Sequence, residues 1–109
     1  MLNWQIDIQN LDFIDEKIKL VLKVKENNFG AGVITSLYRI GDKGVHGTLP
    51  LRAIDERCQD DKLGKEIEEY INNLFFYDPD RPEMKVCMYH DVGRGKHLHY
   101  QVHPKTRIK

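Results

Sequence analysis

Apolar residues recur every three or four positions in the stretch that follows Asp60 and Asp61, which is the period of a helix with one buried face. Either aspartate can act as the N-cap, because its carboxylate can accept hydrogen bonds from the free amides of a first helical turn. Pro79 and Pro82 cannot continue a helix. The pattern therefore predicts a helix that is stopped by the segment 78–82, with its buried face formed by Leu63, Ile67, Tyr70, Ile71 and Leu74.

A second apolar segment, residues 18–24, fits both the period of a helix and that of a strand. Asp15 offers an N-cap, and lysines are interleaved with the apolar residues up to Asn27, as in an amphipathic helix. Part of the segment also alternates in the manner of a strand. We favour a helix from Asp15 to Asn27, followed by a break at residues 27–32, which contain Gly30 and Gly32.

The other apolar segments are short and either alternate or are rich in β-branched residues, which is typical of strands. Two of them are joined by residues 91–96, in which Gly93 and Gly95 can supply turn conformations, so they should form a β-hairpin. The expected strands are residues 4–8, 33–38, 52–57, 84–90 and 97–103. Two helices with these strands predict one α+β domain over residues 1–109.

Composition narrows the possible functions. The 109 residues include 17 basic and 17 acidic side chains, so no bulk charge favours a nucleic-acid partner. No apolar run reaches the length of a membrane span, and residues 1–10 lack the pattern of a signal peptide. We therefore expect synthesis in the cytoplasm, no membrane partner, and reduced thiols at Cys58 and Cys87.

Four of the five histidines lie in the last twenty residues. In a strand, His97 and His99 project to one side and Leu98 and Tyr100 to the other. Two imidazoles so placed can share a metal ion, or divide ligand and acid–base roles. They can also be the polar outer face of an edge hairpin. A catalytic zinc site uses about three protein ligands, and a loop histidine, His46, and a strand-end carboxylate, Asp55, could meet His99.

Four short motifs resemble the zinc D-Ala-D-Ala carboxypeptidase and endopeptidase family, which shares its fold with lysostaphin and the hedgehog signalling domain. They are Thr-Ser-Leu-Tyr-Arg at 35–39, Val-His-Gly at 45–47, Arg-Ala-Ile-Asp at 52–55 and His-Leu-His at 97–99. The sequence departs from the family in having two extra residues between His46 and Asp55, and in lacking the glutamate that many members use as a base.

The resemblance implies a small hedgehog/DD-peptidase-like domain with an antiparallel sheet, flanking helices and a C-terminal hairpin. Zinc (Zn2+) would be held by His46, Asp55 and His99. His97 would be the general base or would stabilise the transition state. Arg39 would bind the substrate carboxylate or the developing oxyanion, and Ser36 would help to orient the site.

The implied function is cleavage of peptidoglycan stem or cross-link peptides, by a protein released to the cell wall as a phage lysis or virion product. One alternative is a degenerate metal-binding domain that binds cell-wall peptide or a protein partner without cleavage. A second is a metal-dependent single-strand DNA nickase, which would need Tyr70 as nucleophile. His90 and His103 border the hairpin, and we assign them no direct role.

Overall fold

The computed structural model describes residues 14–36, 52–91 and 95–109, with the side chain of Ser36 excepted. Along the chain they form α1 (Glu16–Phe29), β1 (Ile34–Ser36), β2 (Ala53–Arg57), α2 (Asp61–Leu74), β3 (Phe75–Phe76), β4 (Cys87–Asp91), β5 (Lys96–Gln101) and β6 (Arg107–Ile108). The predicted α+β class is confirmed. In these three ranges, no helix is long and apolar enough to cross a membrane.

Four strands form one antiparallel sheet in the order β1-β2-β5-β4, and β3 pairs with β6 in a second, two-stranded sheet. The predicted hairpin is β4 and β5. The predicted strand at residues 4–8 lies outside the described residues.

Both helices begin at the predicted caps. The Asp15 carboxylate accepts a hydrogen bond from the amide of Lys17 at 2.8 Å, and that of Asp60 accepts one from the amide of Leu63 at 3.1 Å. The segment 18–24, which the pattern left open, is therefore helical.

Helix α2 ends at Leu74, before the prolines, because Phe75 and Phe76 leave the helix to pair with Ile108 and Arg107. Strand β4 begins at Cys87, later than predicted, because Met84 is still part of the turn that follows Asp78.

The four-stranded sheet has two chemically different faces. The face that packs on the helices, here called the helix face, carries Ile54, Leu98 and Tyr100, all fully buried in the hydrophobic core. The opposite face, here called the histidine face, carries Asp55 and His99. Because side chains alternate along a strand, each central strand serves both faces.

A buried ion pair connects α1 to the centre of the sheet. The Lys25 ammonium lies 2.9 Å from the Glu56 carboxylate, and both side chains are almost completely buried. The Tyr100 hydroxyl donates to the same carboxylate oxygen at 2.9 Å, and burial raises the pKa of this tyrosine well above its usual value. A Cβ at Gly32 would lie 2.6 Å from the Glu56 carboxylate, so glycine makes room for the pair.

Side chains of α2 hydrogen-bond to the outer edge of β4. Asn72 donates to the carbonyl of Cys87 at 2.7 Å, and its carbonyl oxygen accepts from the amides of Val86 and Cys87 at 3.1 and 3.0 Å. The carboxylate of Glu68 accepts from the amide of Tyr89 at 2.8 Å. Backbone groups that would be unpaired at a sheet edge are thereby satisfied.

The ring of Tyr89 packs directly on α2 at Gly64, where a Cβ would lie only 2.5 Å from the ring carbons. The Tyr89 hydroxyl donates to Asp61 at 2.9 Å, and the ammonium of Lys96 also lies 2.9 Å from that carboxylate. The hairpin is thus anchored to the first turn of α2 through residues from both of its strands.

We predict that Glu56→Gln destabilises the protein strongly. The substitution preserves side-chain size but leaves the Lys25 ammonium buried without a counter-charge, which typically costs about 3–5 kcal/mol in the free energy of unfolding. Urea denaturation measures the change. Glu66→Gln, on the exposed side of α2, is the matched control and should change stability by less than about 0.5 kcal/mol. Equal stability of the two variants would show that the ion pair is unimportant.

We predict that Gly64→Ala is destabilising even though alanine favours helix formation by about 1 kcal/mol. The added methyl group overlaps the Tyr89 ring, and such overpacking costs about 1–3 kcal/mol. Thermal and urea denaturation should show a net loss of stability. In a Tyr89→Ala background the same change should be neutral or stabilising, and a loss in both backgrounds would argue against steric overlap as its cause.

Candidate functional site

Asp55 and His99 form the centre of the site. They are directly opposite one another on β2 and β5, and Nδ1 of His99 lies 2.7 Å from Oδ1 of Asp55. The Asp55 side chain is 7% exposed and that of His99 13% exposed. The register of two neighbouring strands therefore brings together a carboxylate and an imidazole that are forty-four residues apart in sequence.

The second ring nitrogen of His99 is also in contact with an acceptor. Nε2 of His99 lies 3.2 Å from the side-chain oxygen of Gln101, whose amide nitrogen donates to the carbonyl of Lys85 at 2.9 Å. A neutral imidazole has one N–H, so it can donate to only one of its two neighbours.

The ring of His97 is oriented by the backbone of the hairpin turn. Its Nδ1 lies 3.2 Å from the carbonyl oxygen of Gly95. A carbonyl oxygen only accepts, so Nδ1 carries the hydrogen and Nε2 of a neutral ring is left as an acceptor. Gly95 has φ +94°, a conformation that side-chain-bearing residues rarely adopt. The glycine therefore permits the turn that presents this carbonyl to His97.

His90 joins the site, although the sequence analysis gave it no role. It is directly opposite His97, with ring centroids 4.6 Å apart in an edge-to-face arrangement, and its centroid is 6.1 Å from that of His99. Counting outward from the Asp91–Lys96 pair places His90 opposite His97. That register was the signal available in the sequence, since strands joined by a short turn pair symmetrically about it.

His103 lies apart from this group. It follows the end of β5, its ring packs against that of Tyr77 at 5.6 Å, and its Nδ1 accepts a hydrogen bond from the amide of Lys105. These contacts belong to the turn before β6.

Three of the residues assigned from the family resemblance cannot be placed in this site. His46 and Arg39 lie outside the described residues. Ser36 is in β1, where its backbone is opposite Asp55, but its side chain is not among those described. Among the residues that are described, no three histidine, cysteine, aspartate or glutamate side chains are grouped so as to hold a metal ion.

Two further side chains of types that can act as nucleophiles, Tyr70 and Cys87, lie on the helix side of the sheet. Tyr70 is on α2, and its ring packs against Phe29 of α1 at 5.4 Å. Helix α2 packs on the helix face of the sheet, whereas His97 and His99 lie on the histidine face. Cys87 is fully buried, and burial raises the pKa of its thiol.

Comparison of the chain with protein-family models, curated proteins and solved structures gives no match.

We predict that His90 makes the metal-free fold less stable in mild acid. Burial, and then the neighbouring His97 and His99, hold the pKa of His90 below its ordinary value of 6.5. The unfolded chain therefore takes up this proton first as the pH falls. The stability that a neutral His90 provides is present above the ordinary pKa, and it is lost as the pH falls through the lowered pKa of the folded state.

Unfolding by urea between about pH 8 and about pH 5, the range in which histidines titrate, should show a smaller loss of stability for His90→Phe than for the parent protein. NMR titration of the His90 ring checks the pKa directly. Identical pH dependence of the two proteins would contradict the prediction.

Proposed function

We propose that this protein is a zinc-dependent peptidase that cleaves stem or cross-link peptides of peptidoglycan. The observation that carries the proposal is the contact between Asp55 and His99, because these are two of the three residues to which the family resemblance assigns the metal. Such a protein would act at the cell wall, as a phage lysis or virion product.

The chemistry of the pair fits zinc. An imidazole nitrogen and a carboxylate oxygen are ligands that Zn2+ prefers, at about 2.0–2.2 Å from each atom. The Gln101 oxygen at the other ring nitrogen of His99 is the kind of acceptor that commonly orients a metal-binding histidine. His46 is the proposed third ligand. When bound, zinc supplies a Lewis acid that polarises a peptide carbonyl and makes water a stronger nucleophile.

His97 is the proposed general base. The Gly95 carbonyl keeps the hydrogen on Nδ1, so the lone pair of Nε2 is available to take a proton from the attacking water and pass it to the leaving amine. His97 is two residues from His99 on the same strand, so both imidazoles lie on the histidine face.

Arg39 is the proposed binding partner for the substrate carboxylate or the developing oxyanion, with Ser36 helping to orient the site. A guanidinium suits this task because its planar fork donates two parallel hydrogen bonds. These two assignments rest on the resemblance of residues 35–39 to the family motif.

The test separates metal binding from cleavage. The purified protein, loaded with zinc, is freed of excess metal by gel filtration; its bound zinc is counted by mass spectrometry, and its affinity is measured by calorimetry. The protein is then incubated with purified peptidoglycan, and the released termini are identified by mass. We expect one zinc ion per chain, and a newly formed amine and carboxylate at one type of peptide bond.

Variants assign the roles. Asp55→Ala, His99→Ala and His46→Ala should each lose zinc and activity together. His97→Ala should keep zinc and lose activity by about 10²–10⁴-fold, the usual contribution of a general base. His103→Asn is the histidine control and should keep both, since the asparagine oxygen can accept the local hydrogen bond of the turn.

Each remaining outcome contradicts the proposal in a different way. A chain that binds zinc through these residues but cleaves no peptidoglycan is the degenerate binding domain. A folded protein that binds no zinc, or that keeps it after His99→Ala, is not a zinc peptidase of this kind.

A further inference from the structure

The histidine face holds a third imidazole that the proposed function leaves without a task. His90 is partly buried, and its ring meets that of His97 at 4.6 Å with an interplanar angle of 67°. This edge-to-face geometry lies in the favourable range for aromatic pairs.

The backbone that carries His90 is firmly held. Strand β4 pairs with β5 on one side, and on the other side Glu68 accepts the amide hydrogen of the preceding residue, Tyr89. The Tyr89 ring is in turn packed on Gly64 of α2. His90 is therefore presented from a strand fixed on both edges, whereas the residue it contacts, His97, lies next to the hairpin turn.

His97 needs a second constraint beyond its hydrogen bond. The contact between its Nδ1 and the Gly95 carbonyl selects the tautomer, but one hydrogen bond of 3.2 Å leaves the ring free to tilt away from the carbonyl and lose that preference. His97 is partly exposed, so the side of its ring that faces solvent is not supported against such motion. A ring packed against it restricts the tilt.

We propose that His90 is a positioning residue for His97. By packing its ring against that of His97, His90 holds His97 in the orientation that the Gly95 carbonyl sets. The consequence for catalysis rests on the proposed function, in which Nε2 of His97 must face the attacking water. The structural part of the inference, that His90 fixes the orientation of the His97 ring, does not depend on the proposed function.

Two kinds of variant separate packing from chemistry. His90→Phe keeps a ring of similar shape but removes both ring nitrogens. His90→Ala and His90→Gln remove the ring, and two such variants are used so that the test survives poor folding of one. Met88→Leu is the control, because Met88 is the adjacent residue of β4 on the same face and lies opposite His99 rather than His97.

The first measurement needs no substrate. Nitrogen-15 NMR of the metal-free protein reports which ring nitrogen of His97 carries hydrogen. We expect the Nδ1–H form to predominate in the parent protein, in His90→Phe and in Met88→Leu. Signals of His97 in the two ring-less variants should move toward the average of both tautomers.

The second measurement is the kinetics of peptide cleavage by the zinc-loaded protein. His90→Ala and His90→Gln should lower kcat by about 10–100-fold, the usual effect of a misplaced or unsupported catalytic group. KM and zinc content should be unchanged. His90→Phe should retain most of the parent kcat, because the packing is preserved.

Two results would overturn the inference. Unaltered His97 signals in both ring-less variants would show that His90 does not order His97. A loss of kcat in His90→Phe as large as in His90→Ala would show that a ring nitrogen, and not packing, is what the reaction requires. A parent protein that cleaves no peptide would refute the proposed function, and the NMR result would still decide whether His90 positions His97.

Discussion

The structure depends on two consecutive buried carboxylates whose side chains project into opposite layers. With backbone and side chain taken together, Asp55 and Glu56 are 5% and 2% exposed. Each carboxylate would be costly to bury without a partner. Glu56 is paired with Lys25 and Tyr100 on the helix face, and Asp55 is paired with His99 on the histidine face. The strand period of two makes this separation unavoidable, because neighbouring residues cannot share a face.

The pairing of β2 with β5 therefore determines both the core and the site. A slip of one residue would move Asp55 to the helix face and Glu56 to the histidine face, away from their partners. The apolar pairs of the helix face, such as Ile54 with Tyr100, oppose this slip because it would expose them. Packing on one side of the sheet thus maintains the geometry on the other, without any direct contact between the two.

The parts of this fold that were predicted from sequence are those encoded by local patterns. The caps at Asp15 and Asp60, the hairpin, and the shared face of His97 and His99 all follow from residues close together in the chain. The pairing of β3 with β6 was missed because its two strands are each two residues long and far apart in sequence. The burial of Lys25 could not be predicted either, since its counter-charge lies thirty-one positions away and a helical lysine is usually exposed. His46 and Arg39 remain predictions.

The side chains of α2 that bind the outer edge of β4 restrict how an extended peptide can approach. Many proteins bind peptides by adding them as an extra strand to an open sheet edge. Along residues 86–89 the outward-facing amides and the Cys87 carbonyl are already occupied by Asn72 and Glu68. Strand addition there would require the helix to release them. The edge of β4 along these residues is therefore closed to strand addition, and a peptide that reaches the imidazoles must do so by another route.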